Sequence, residues 1–501
     1  MVGDIILAGM GAAVSDYIFV REASKAGAFG ILSGTALNEV MVRRLGNGDP
    51  TGEIREALNE FPNQMIAERI IDDFYIRGGK AESDQFKGCP FPRFHIGEGN
   101  VLSLKDPRLE ELIVAANFVE VKLAKKGHKR EVGINYLHKI QWPLMPSIYG
   151  AMLAGVDAVF IGAGLPREVG GVMDAFSVGN GTKMKIPVIN KEGKASGKNY
   201  QIEFDPYRTL GNVGELNRPY LVGIISNQMG LKGLPNVDGY VAEKCDDVTF
   251  NMVAGGHVPG ARSKKLREDG QPDYGEKDSL RYHMFRSILQ KRAVEKARGL
   301  KLNSKDSKVL DNLRQPFWLA GNYANNLNGA LSEGAEGIQV GTLFAYCCKD
   351  SGIETNLRHR SLTDIMNGVK VVTNPYASPS GFPFNVLQSD GTIASKEVYD
   401  ARRKVCTLGY LGELVEDNDQ IIMRCPAEPT NNYLRKGGLI EDTYGRTCLC
   451  NGLVATVGLG SPGEPPIATA GLELGPIKEF VNRYGMDGTA EQIIDYIREN
   501  A

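Results

Sequence analysis

Long apolar runs are missing from this 501-residue chain; none approaches the roughly 20 residues that a membrane-spanning helix needs. The opening MVGDIILAGMG carries no basic flank, and its apolar run is too short for an export signal. The expectation is a soluble, cytoplasmic protein without a membrane partner. Charge of one sign is missing as well. Lys and Arg number 58 against 60 Asp and Glu, a net charge of -2, so no basic field marks a nucleic-acid partner. Histidine is scarce, with 6 residues, and each one on a ligand-like loop is a candidate proton carrier. The 8 cysteines include no C-x-x-C, and without an export signal a disulfide framework is not expected.

Glycine, by contrast, is abundant, with 60 residues, and many fall where a β-rich run ends and a helical pattern begins. Eight such runs recur: Asp4–Ala8, Phe29–Ser33, Val132–Leu137, Asp157–Ile161, Leu221–Ser226, Gly239–Glu243, Phe317–Ala320 and Gly337–Val340. They are nearly continuous in apolar residues, as suits parallel strands buried on both faces. Helical segments such as SDYIFVREASKAG and SIYGAMLAG fill the gaps and end at glycine. Eight alternations predict an α/β protein, a (β/α)8 TIM barrel over residues 1–360, in preference to an open doubly wound sheet. Insertions are expected at 38–130 (mostly helical), at 170–215 (a β-hairpin) and at 244–312 (a loop followed by a charged helix). Residues 361–501, where the alternation stops, would form a Cys-containing C-terminal lobe packed on the barrel.

Active sites in such barrels lie at the C-terminal ends of the strands, often with a phosphate pocket after strands seven and eight. The turns AGN and GT fall there, so the backbone of Gly321, Asn322, Gly341 and Thr342 is a candidate anion cradle. The first turn, AGMGA, brings Gly9, Met10 and Gly11 to the same mouth, as a flat-ring platform or simply a tight turn. His257, in FNMVAGGHVPGARS, follows two glycines on the loop after strand six. It is a candidate for proton transfer, with a backbone-bonded loop histidine as the plain alternative. His95, His128, His138, His283 and His359 sit in polar or insertion contexts and read as surface or structural residues. Cys406, Cys425, Cys448 and Cys450 in the tail are candidate ligands for zinc or an iron–sulfur cluster, or ordinary core thiols.

With these features in place, the chain resembles the nitronate monooxygenase (2-nitropropane dioxygenase-like) family of FMN flavoproteins, in its long branch with a C-terminal extension. The stretches that carry the resemblance run through most of the chain. They include AGMGAAVSDYIFVREASKAGAFGILSGTAL, GINYLHKIQWPLMPSIYGAMLAGVDAVFIGAGLPREV, AGGHVPGAR, PFWLAGNYANNLNGALSEGAEGIQVGTLFAYC, CPAEP and GRTCLCNG. The resemblance implies FMN across the barrel mouth. The ring would lie near Ala8, Gly9, Met10 and Asn135, with Gly162, Ser226 and Gly256 lining the site. The phosphate would lie between Gly321–Asn322 and Gly341–Thr342, with Gln339 nearby. His257 would take the place of the family's active-site histidine. The implied reaction turns a nitronate and O2 into a carbonyl compound and nitrite. The chain departs from the family pattern in LAGMG at strand one, in Asn322, and in extra sequence at 244–253.

A second implication of the same barrel is an FMN- and NAD(P)H-dependent reductase similar to the enoyl reductases of lipid and polyketide assembly, with an acyl-carrier partner. A homodimer and a non-catalytic scaffold complete the expectations drawn from the sequence.

Overall fold

The fold comes from a computed structural model, which describes residues 2–225, 234, 237–243, 315–321, 323–374, 376–380 and 384–501. His257, Gly256, Ser226, Asn322 and the whole 244–312 insertion lie outside the described residues.

Eight strands form the barrel: β1 (Ile5–Leu7), β2 (Phe29–Ser33), β3 (Val132–Leu137), β4 (Ala158–Gly162), β5 (Tyr220–Ile225), β6 (Gly239–Glu243), β7 (Phe317–Ala320) and β8 (Gly337–Val340). They pair in chain order, all parallel, and the sheet closes when Ile5 of β1 pairs with Ile338 of β8. The fold is a (β/α)8 TIM barrel with an extra C-terminal region, and the open-sheet alternative is ruled out by that closure. Each strand lies within a residue or two of its sequence-predicted span.

The apolar runs work because alternate residues face two different cores. Ile6, Phe29, Ile31, Ala158, Phe160, Val222, Ile224, Val241, Trp318 and Ala320 fill the barrel interior as one cluster. Their neighbours Ile5, Leu7, Leu32, Ile134 and Val159 face outward into the main core. Gly133 is a packing requirement: a Cβ there would stand 2.9 Å from Phe29 and 3.0 Å from Phe160. The space is taken by those two rings, whose centroids lie 6.1 Å apart.

The first two insertions are not independent. Phe94–Ile96 and Val101–Leu104 from 38–130 join Gln201–Phe204 and Thr182–Lys185 from 170–215 in a single four-stranded sheet. The expected hairpin is present, with Lys183 opposite Glu203. The two strands in the first insertion were hidden by its Gly/Pro-rich sequence. Its helices follow the expected pattern, and Asn63 caps Gln64–Phe74 by accepting from the Ile66 N–H.

A buried charge cluster fastens this insertion to the first barrel helix, Tyr17–Ala26. The Arg44 guanidinium donates to Asp16 at 2.6 Å and to Glu120 at 3.2 Å. Asp16 also accepts from the Phe19 N–H as the helix cap, and Glu120 accepts from the Tyr17 N–H. Burial pushes the Glu120 carboxyl up to about 7, against the pull of Arg44.

The C-terminal region carries two hairpins, Val371–Asn374 with Phe384–Leu387 and Glu413–Asp417 with Gln420–Arg424. Its last two helices, Gly475–Tyr484 and Ala490–Glu499, pack on the helices that follow β8 and β1. Among the described residues, no helix is long and apolar enough to cross a membrane.

Candidate functional site

The alternation that fills the barrel interior continues to the C-terminal rim, where the next inward positions are Ala8, Asn135, Ile224, Ala320 and Gln339. These residues line one cavity of 430 Å³, within the usual range for small-molecule sites. Gly9, Met10, Gly11, Gly321, Gly341 and Thr342 from the adjoining turns line it too. The structure therefore brings together eight of the residues singled out from sequence: Ala8, Gly9, Met10, Asn135, Gly321, Gln339, Gly341 and Thr342. Gly162 is buried at the end of β4 and does not line this cavity; its carbonyl accepts from the His138 N–H.

Serines fix the first turn. The Ser15 hydroxyl donates to the Ala8 carbonyl at 2.6 Å and accepts from the Met10 N–H at 3.1 Å. The Ser33 hydroxyl donates to the Gly11 carbonyl. The glycines in these turns have different jobs. At Gly9 a Cβ would meet the Asn135 Cβ at 2.6 Å and the Leu32 carbonyl at 2.7 Å, so this glycine lets strands approach. At Gly341 a Cβ would stand 3.2 Å from the Met10 sulfur and 3.7 Å from the Ala8 Cβ, inside the cavity wall.

Among the described residues no charged side chain lines the cavity, and these residues offer a bound anion backbone N–H groups and hydroxyls. Asn135 Oδ1 and Gln339 Oε1 are buried without a hydrogen-bond partner, although the Asn135 amide donates to the Gly9 carbonyl. Two such acceptors at a cavity wall match a ligand edge that carries N–H donors. The residues present thus fit a neutral-walled flavin site.

Sequence reasoning missed the far wall. Phe384, Asn385, Leu453, Thr456, Thr469 and Ala470 belong to the C-terminal region and complete the cavity. The Thr342 hydroxyl accepts from the Gly471 N–H, and the Tyr346 hydroxyl donates to the Thr469 carbonyl, so the lobe is fixed to the rim. The lobe had been read as an appendage because its sequence carries no barrel periodicity.

His138 lies away from this cavity. The sequence context predicts a surface or structural residue; the structure places it half-buried at the end of β3, where it lines a second cavity. Burial, reinforced by Arg167, lowers its pKa, and its Nε2 has no hydrogen-bond partner. His359 shares Asp487 with Arg358, and the His128 Nε2 lies 2.8 Å from the Ala124 carbonyl, both structural roles.

The four tail cysteines do converge. Cys425 and Cys448 share a small apolar cluster with Ala427, Cys450 packs against it, and Cys406 lies within electrostatic reach of all three. Burial pushes each thiol up, that of Cys448 to about 12, so they are protonated at neutral pH. Among the described residues, no group of three or more His, Cys, Asp or Glu is arranged to hold a metal ion. The zinc or iron–sulfur expectation gains no support from this arrangement, which is one of packed neutral thiols.

No protein-family model and no curated protein matches the chain. Solved structures do. FabK from Thermotoga maritima is similar over 99% of this chain and 92% of its own, at 12% identity and a TM-score of 0.42. A nitroalkane oxidase from Streptomyces ansochromogenes covers 99% and 94%, at 11% identity and a TM-score of 0.42. The enoyl reductase domain of MlnA, from the macrolactin cluster of Bacillus amyloliquefaciens, covers 100% and 97%, at 9% identity and a TM-score of 0.46. At these scores the likeness carries no argument about chemistry.

Proposed function

We propose that the chain is an FMN-dependent oxidoreductase acting on a small anionic substrate, nitronate monooxygenase-like, with O2 as redox partner. One observation supports this most: of the twelve residues to which the sequence resemblance assigns the flavin, eight line a single cavity at the barrel mouth, while Gly162 does not and Ser226, Gly256 and Asn322 lie outside the described residues. FMN would be held by the turns after β1, β7 and β8, with Asn135 and Gln339 as acceptors for its N–H donors. When bound it supplies the redox chemistry, and the chain supplies binding, orientation and a dry wall. The buried Ala8, Ile224 and Ala320 would give a bound ring an apolar wall. His257 would act as the base for a neutral nitroalkane or as the anchor for a preformed nitronate.

The second reading is an FMN- and NAD(P)H-dependent enoyl-reductase-like enzyme of lipid, polyketide or specialised biosynthesis. It is favoured by one specific observation, the larger cation-lined cavity beside the first on the same rim. Anaerobic mixing of the purified protein separates the two readings. Bleaching of the flavin by a nitronate supports the first, and bleaching by NAD(P)H supports the second. Colourless protein that releases no FMN would end both.

A further inference from the structure

All four carbonyls of the turn after β1, Ala8 to Gly11, are taken from within the protein. The Ala8 carbonyl accepts from the Ser15 hydroxyl at 2.6 Å, and the Gly9 carbonyl accepts from the Asn135 amide at 3.2 Å. The Met10 carbonyl accepts from the Ser15 N–H at 3.2 Å, and the Gly11 carbonyl accepts from the Ser33 hydroxyl. Two of the turn's N–H groups are taken as well. Ala8 donates to the Val340 carbonyl at 3.0 Å, and Met10 donates to the Ser15 hydroxyl oxygen at 3.1 Å. The N–H groups of Gly9 and Gly11 make no hydrogen bond among the described residues, and both glycines line the first cavity. The turn therefore holds two N–H donors for a ligand and no carbonyl without a donor of its own.

Two serines produce this polarity. Ser15 is fully buried and Ser33 is 3% exposed, and neither lines the cavity. They are tied to each other, since the Ser33 N–H donates to the Ser15 carbonyl at 2.9 Å. Ser15 is also held from behind. The next residue, Asp16, caps the first barrel helix and accepts from Arg44 at 2.6 Å. The unpartnered acceptors at the wall come from other strands, as the side-chain oxygens of Asn135 on β3 and Gln339 on β8.

Reduction adds electrons to a flavin ring. Nearby N–H donors favour the electron-richer form, and nearby carbonyl oxygens disfavour it. We propose, on the flavin reading of this cavity, that Ser15 and Ser33 are positioning residues that raise the reduction potential of the bound flavin by occupying the carbonyls of the β1 turn. In Ser15→Ala the Ala8 carbonyl loses its donor, and its negative end is no longer offset. The reduced flavin is then held less well than the oxidised one. A tenfold change in that ratio lowers the potential of a two-electron couple by about 30 mV.

The test is the potential of FMN bound to the full chain, read by equilibration with a reference dye during anaerobic reduction. Ser15→Ala and Ser33→Ala are each expected to lower it by about 30 mV or more. Ser33→Cys, which keeps a weak donor, should fall between Ser33→Ala and wild type. Ser24→Ala is the control. Ser24 is fully buried in the first barrel helix, and its hydroxyl has no hydrogen-bond partner, so its removal should leave the potential unchanged. Circular dichroism checks the fold of each variant, and either serine variant that keeps flavin decides the matter. An unchanged or raised potential in such a variant, or an equal fall in Ser24→Ala, would overturn the proposal. Loss of flavin from both Ser15→Ala and Ser33→Ala would make the two serines structural and overturn it too. Wild-type protein that binds no FMN would remove the proposed function itself, whereas unchanged potentials in protein that binds FMN would remove only this inference.

Discussion

At Gly341 a single missing side chain keeps the floor of the first cavity open, since a Cβ there already crowds the Met10 sulfur. Gly341→Val puts a Cβ and two methyl groups at that point. We expect the folded variant to retain flavin at least about tenfold less well, as measured by the flavin-to-protein ratio after gel filtration. His257→Ala is expected to keep FMN and to lose most turnover; full activity would remove the proton-transfer or anchoring role.

Among the helices, Leu144–Leu153 and Pro107–Ala124 approach most tightly at Gly150, where a Cβ would stand 2.2 Å from the Val114 carbonyl. Backbone cannot move aside as a flexible side chain can. Gly150→Ala is expected to cost about 1–3 kcal/mol in denaturant unfolding, although alanine is the better helix former. This contact was not legible in the sequence, where Gly150 is one more small residue in an apolar helix. The barrel strands were legible because their apolar runs are bounded by small-residue turns and recur eight times. The strands Phe94–Ile96 and Val101–Leu104 were not, because they are short and the pair joins a larger sheet only through Gln201–Phe204, some hundred residues later. The rim residues could be read from their turns. The opposite wall, at Phe384 and Thr469, could not, because nothing local marks a lobe residue as facing a barrel mouth.

For the molecule as a whole, the C-terminal lobe is part of the site. Arg402 and Glu464 form a pair within it at 2.6 Å, with side chains only 3% and 6% exposed. Glu464→Ala would leave a guanidinium buried without its counter-charge, at a cost of about 3–5 kcal/mol. Because lobe residues wall the first cavity, the same variant should release flavin at a lower temperature than wild type, as followed by flavin fluorescence on heating. An unchanged release temperature would show that the lobe and the cofactor site are energetically separate.

The pairing of β1 with β8 also sets a condition on folding. β1 gains its second partner only from a strand at the far end of the barrel sequence, and the first helix gains part of its cover only from Ala490–Glu499. Contacts of such long sequence separation form slowly, so closure of the ring is expected to be a slow phase of refolding.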